Sequence, residues 1–93
     1  MQQPETMTIT ALDGSQPHRD WGGWQGFLEA CCGLRAEVDG VRYFGSANCN
    51  YIVFPTGDLL KNFGYHGRVM MNRVGVLGWT ETLRLVKAGA IHG

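Results

Sequence analysis

A run of apolar residues long enough to cross a bilayer is missing from this chain of 93 residues. Spanning takes roughly 18–20 such residues. Even the longest charge-free stretch, Tyr43–Gly57, is broken by Ser46, Asn48, Asn50 and Pro55. The first residues, Met1-Gln2-Gln3-Pro4-Glu5, carry neither the basic start nor the apolar stretch of a secretory signal. Cysteine is sparse: Cys31 and Cys32 are adjacent and Cys49 stands apart. An odd number cannot close into a disulfide framework, so the expected setting is the reducing cytoplasm, with the thiols packed as small hydrophobes. Charge is thin as well, at 17% of residues, while 44% are apolar. That balance belongs to a folded chain and excludes a disordered one. At this length there is room for one domain, 1–93 with a loose polar end over 1–6, and none for a Rossmann sheet, a TIM barrel or a kinase. Such a domain buries roughly 60–65% of its unfolded surface, enough for a modest core.

The strings that announce chemistry are also absent. There is no Walker A or G-x-G-x-x-G string to cradle phosphate; Gly75-Val76-Leu77-Gly78-Trp79-Thr80 leads into a helix start, but Thr80 suffices there as a cap. Zinc would draw on Cys31, Cys32, Cys49, His66 and His92, none of which form a close ligand pair, and neighbouring cysteines on a helix point about 100° apart. Nucleophilic catalysis would need a thiol beside an imidazole. Cys49 with His66 or His18 is the only such combination to weigh, and nothing in the order of residues unites them. The eight acids are scattered singly, with capping or turn duties for Asp20, Asp39, Asp58 and Glu81. The expectation is a chain with no catalytic residues, metal or cofactor.

What is present reads as an α+β fold. Met7–Leu12 is β-branched and suits a short strand, followed by a turn over Asp13–Pro17. Asp20 is placed to cap a helix over Trp21–Cys32, where Trp21, Trp24, Phe27, Leu28 and Cys31 recur at spacings of three and four. Gly22, Gly23 and Gly26 weaken that helix or let another backbone approach, and Gly33 is placed to end it in a left-handed conformation. Leu34–Phe44 is the clearest local signal. Asp39-Gly40 between alternating runs predicts a type I′ hairpin with Val38 opposite Val41, Ala36 opposite Tyr43 and Glu37 opposite Arg42. Cys49–Phe54 follows as a strand stopped by Pro55, then a short helix over Gly57–Phe63 capped by Thr56. Arg68–Val74 suits either state, and its flanking glycines favour a strand. Thr80 caps a last helix to about Ala88, with Glu81 at its positive end, Arg84 and Lys87 at its negative end, Gly89 after it, and Trp79, Leu83 and Val86 as its buried stripe. The predicted architecture is a small antiparallel sheet of about four strands with the Asp-Gly hairpin at its centre, packed on one face by two main helices and one short helix.

Two binding readings remain. Residues 1–33 carry four acids against Arg19 alone, a net of −3, and residues 34–93 carry seven bases against four acids, a net of +3. A protein-binding module is the leading one, with Arg19, Trp21, Tyr65, His66, Arg68 and Arg73 as the candidate contact residues, since these types anchor interfaces. Trp24 and Trp79 are read as core, and Trp21 stands open between core and interface. The split charge also suits a homodimer. Small domains of this kind are often inhibitors or regulators of larger assemblies, including those that phages carry against host defences. The alternative is a nucleic-acid-binding domain using Lys61, Arg68, Arg73, Arg84 and Lys87, with Phe63 and Tyr65 as stacking residues. Leu77–Ile91, ending Leu83-Arg84-Leu85-Val86-Lys87-Ala88-Gly89-Ala90-Ile91, is similar to the recognition-helix end of excisionase-type helix-turn-helix domains. The distance from Leu77-Gly78 to Lys87-Ala88-Gly89 is shorter than in that pattern, and zero net charge departs from a dedicated DNA binder.

Overall fold

The structure, a computed structural model, describes residues 8–17, 21–45, 50–62 and 66–91, with the backbone alone at 62 and 66. Its elements are β1 (Thr10–Ala11), α1 (Trp24–Cys31), β2 (Gly33–Val38), β3 (Val41–Gly45), β4 (Asn50–Val53), β5 (Asp58–Asn62), α2 (His66–Leu77) and α3 (Trp79–Lys87). The strands form one sheet in the order β1-β5-β4-β3-β2. β1 lies parallel to β5 and the other pairs are antiparallel, so the sheet is mixed and the fold is α+β.

The Asp-Gly hairpin forms in the expected register, with Val38 opposite Val41, Glu37 opposite Arg42 and Ala36 opposite Tyr43. Asp39 and Gly40 both hold positive φ, 55° and 81°, as a type I′ turn requires. Beyond Ala36 the ladder slips, and Leu34 rather than Arg35 faces Phe44. This hairpin forms one side of the sheet, and the centre belongs to β4, whose four residues are all buried. Period-two alternation explains that burial. Tyr51 and Val53 pack on one side with Ala11, Trp24, Leu28 and Leu59. Ile52 and Phe54 pack on the other with Val41, Met70, Met71, Val74, Leu83 and Ile91. The helices therefore cover both faces, α1 on one and α2 with α3 on the other, where a single covered face was expected.

Two segments change type. The expected helix over Gly57–Phe63 is β5: Phe54 N–H donates to the Asp58 carbonyl at 2.9 Å and Gly57 N–H to the Phe54 carbonyl at 2.8 Å, closing a tight turn. As strand neighbours, Leu59 and Leu60 serve one core each, which a short helix could not do. The expected strand over Arg68–Val74 lies within α2, which buries Met70, Met71 and Val74 at helical spacing. Both glycines that favoured a strand, Gly67 and Gly75, lie inside that helix.

Smaller corrections concern the ends. α1 starts at Trp24 behind Gly23, and Trp21 precedes it; Asp20 lies outside the described residues. Gly26 does accept a close backbone, since a Cβ there would strike the Trp21 carbonyl. Cys32 is already extended at φ −128°, and Gly33 opens β2 instead of closing the helix. α3 begins at Trp79 behind Gly78, with no side-chain cap from Thr80; buried Thr82 donates its Oγ1 hydrogen to the Gly78 carbonyl at 2.8 Å. At its other end Gly89 has φ 79°, and Ala90 N–H donates to the Leu85 carbonyl at 2.9 Å, a glycine-terminated helix as expected.

Candidate functional site

α2 turns one side to the sheet and leaves the other uncovered. Val69, Asn72, Arg73, Val76 and Leu77 lie on the outer side and line an open cavity of about 300 Å³. Val76 is 83% exposed, Leu77 42% and Val69 37%. Residues 69, 72, 73 and 76 are spaced i, i+3, i+4 and i+7, the four positions that frame a hole for a side chain of a facing helix. A second cavity of about 360 Å³ adjoins the first through Asn72 and lies between α2 and β2, lined also by Arg35, Ala36, Val38, Tyr43, Arg68 and Met71.

The slip in the β2–β3 ladder builds this second cavity. Two residues, Arg35 and Ala36, stand where one would, and such a bulge re-aims a side chain. Arg35 is carried onto the α2 side, where its guanidinium end lies against Gly45 in space that a Cβ would fill. Tyr43 supplies the wall: its ring rests on Gly67 near the start of α2, where a Cβ would come within 2.6 Å of Cε1.

The electrostatics of this surface are one-sided. Its two cavities are lined by Arg35, Arg68 and Arg73 and by no carboxylate, and α2 contains neither Asp nor Glu. Elsewhere, among the described residues, three bases are matched to acids. Lys61 meets Asp13 at 3.1 Å, Lys87 meets Asp58 at 3.3 Å, and Arg84 meets Glu81 at 2.6 Å with a second contact through Nε at 3.1 Å. Arg84 holds the Glu81 carboxyl below its ordinary range through that hydrogen bond. Among the described residues, Arg68 and Arg73 make no ion pair. Glu37 faces Arg42 across the ladder, and Arg42 lies over the Phe44 ring at 5.8 Å, on the α1 side of the sheet.

Of the contact residues expected for a protein partner, Arg68 and Arg73 are exposed on α2. Trp21 is 38% exposed but sits on the α1 side, edge-on to Phe27 at 6.3 Å, and so is not joined to them. His66 begins α2; its side chain, like Arg19 and Tyr65, lies outside the described residues. Trp24 is buried and Trp79 packs half-buried on the other core. Of the five bases expected to hold nucleic acid, Lys61, Arg84 and Lys87 each face an acid, and Lys61 and Lys87 line one cavity together with Asp13. Cys31 is exposed at the end of α1, contrary to the buried role expected of it; Cys49 lies outside the described residues. Among the described residues no three His, Cys, Asp or Glu side chains converge as a metal site, and no helix is long and apolar enough to cross a membrane.

Arg35, Val69, Asn72, Val76 and Leu77 escaped the sequence reading. Helical spacing over 69–77 was the available signal, and it was hidden once the glycines pointed to a strand. Nothing in the sequence announced the bulge. Comparison with protein-family models, curated protein sequences and solved structures finds no match to this chain.

Proposed function

We propose that the protein is a non-enzymatic binding module whose partner is another protein, held on the outer face of α2. The observation that carries this reading is the apolar stripe Val69, Val76 and Leu77, exposed on a well-packed helix and flanked by Arg68 and Arg73. Single exposed apolar side chains are ordinary on any surface. A stripe of them at helical spacing around a cavity, rimmed by cations, has the form of an interface with an apolar centre and a charged rim. A domain that offers one such surface suits an inhibitor or regulator that occupies a site on a larger assembly.

Nucleic-acid binding through residues 61–92 has less support. Three of its five bases face carboxylates, which removes much of the unbalanced charge that phosphate contacts exploit. The test is position-specific crosslinking in source cells. A photo-reactive residue is placed at Val76 in one variant and at Ala30, exposed on α1, in another. An adduct of one defined mass is expected from position 76 alone, and it should disappear when Arg73→Glu is added. Adducts from neither position, or from both alike, overturn the reading.

A further inference from the structure

We infer that the occupant of the α2 face is a helix of a different protein, with an apolar side chain that enters the cavity and carboxylates on either side of it. The inference rests on the binding reading above and names the chemistry of the partner. Its first support is geometric. The cavity of about 300 Å³ is framed by Val69, Asn72, Arg73 and Val76, which occupy the four corners of a knobs-into-holes site on a single helix. A strand would lay its side chains along a groove at a period of two, whereas this opening is a single hole framed at helical spacing.

Charge supplies the second support. Arg73 lines the hole itself and Arg68 directly precedes its first corner, Val69, beside the cavity that also holds Arg35. No acid from α2 or from either cavity lining answers them. Burying these guanidinium groups against a neutral or basic partner would leave them unpaired, which is costly, while carboxylates at the rim of an apolar knob would pair them and speed the encounter.

The same charges argue against a second copy of this chain. In an isologous pair the two-fold axis would pass near the middle of the stripe, between Asn72 and Arg73. Val69 of one copy would then face Val76 of the other, the two Arg73 side chains would lie beside the axis, and each Arg68 would face Leu77 at an end of the stripe. Four cations would share one interface to which α2 contributes no anion. Like charges so placed select against that pairing.

The test uses the whole chain and two synthetic helical peptides of three heptads. Both carry Leu at the a and d positions; one carries Glu at e and g, the other Lys. Binding is followed by amide chemical-shift changes, and self-association of the chain alone by sedimentation. The Glu peptide is expected to bind with shifts confined to α2 and β2, to weaken as salt is raised, and to lose roughly tenfold or more in affinity with Arg73→Glu. In the Arg73→Glu variant the Lys peptide should become the better ligand. Val76→Asp should abolish binding with the fold intact, because Val76 is 83% exposed and supports no core. Equal binding of both peptides, or binding of neither, overturns the acidic-helix occupant. A chain that dimerises alone and is made monomeric by Val76→Asp overturns it too, and leaves the binding surface standing with a second copy as its occupant. The crosslinking experiment, which uses the natural partner, decides the surface independently of either peptide.

Discussion

Asp13 shows how much a single exposed side chain can acquire from its neighbours. Its carboxylate accepts the Ser15 hydroxyl hydrogen at 2.7 Å and the Ser15 backbone N–H at 2.9 Å, and it meets Lys61 at 3.1 Å. These contacts favour the ionised form, with the Ser15 hydroxyl the largest influence, and lower its pKa from 3.8 to about 2. A carboxyl whose pKa is depressed by folding adds stability at pH values above its unfolded value and loses it as pH falls through the folded one. The denaturation midpoint of the wild type should therefore exceed that of Asp13→Asn at neutral pH. The gap should shrink between about pH 4 and pH 2 and vanish below. Urea titrations across that range check it, and a gap independent of pH would contradict the contact. The Asp13-Gly14-Ser15 turn was legible in the sequence because short polar side chains bond their own backbone. Its Lys61 partner was not, since β5 brings it from 48 positions away in the chain.

At the scale of elements, α2 holds the sharpest contrast between two glycines. Gly75 faces open space, with nothing within 4 Å of a Cβ built there, and its conformation is helical. Gly75→Ala should stabilise the protein by about 1 kcal/mol, the difference in helix propensity. Gly67 is buried under Tyr43, where a Cβ would lie 2.6 Å from Cε1 and 2.9 Å from Cζ. Overpacking of that kind costs about 1–3 kcal/mol, which outweighs the same propensity gain, so Gly67→Ala should destabilise. Placed in a Tyr43→Ala background, Gly67→Ala should turn stabilising. Thermal or urea denaturation of the single and double variants reads the sign in each case. Both glycines look alike in the sequence and both suggested the end of an element. One is in fact a surface weakness, and the other is the space that seats the wall of the α2–β2 cavity. The hairpin was readable because an Asp-Gly turn fixes its own register locally. β5 and α2 were misread because Leu59-Leu60 and Val69-Met70-Met71 are compatible with either state until their surroundings are known.

Across the whole molecule, β4 joins two cores that have no other shared strand so completely buried. Val53 belongs to the α1 core and Ile52 to the α2–α3 core, both at or below 1% exposure. Ile52→Ala should cost about 2–5 kcal/mol, a large part of the roughly 5–14 kcal/mol that holds a chain of this size together. Because the two cores lie on opposite faces of one sheet, the loss should be felt equally on both sides. Single-tryptophan variants that keep Trp24 in the α1 core or Trp79 against the other should report the same lowered midpoint. Separate transitions would show that the layers fold independently.

The sequence by itself determined the α+β class, the Asp-Gly hairpin with its pairing from Ala36 to Tyr43, and the last helix with its charged ends and terminal glycine. All of these depend on residues within a few positions of one another, where turn chemistry and helix ends impose their own geometry. Only the tertiary structure decided that β4 would be central, that helices would cover both faces, and that a bulge would swing Arg35 toward α2. It also settled which bases would be matched: Lys61 and Lys87 found acids through the sheet, while Arg68 and Arg73 remained beside an exposed apolar stripe. Which face of a helix is left over depends on what the other face buries, and that is a property of the assembled core rather than of any local run of residues.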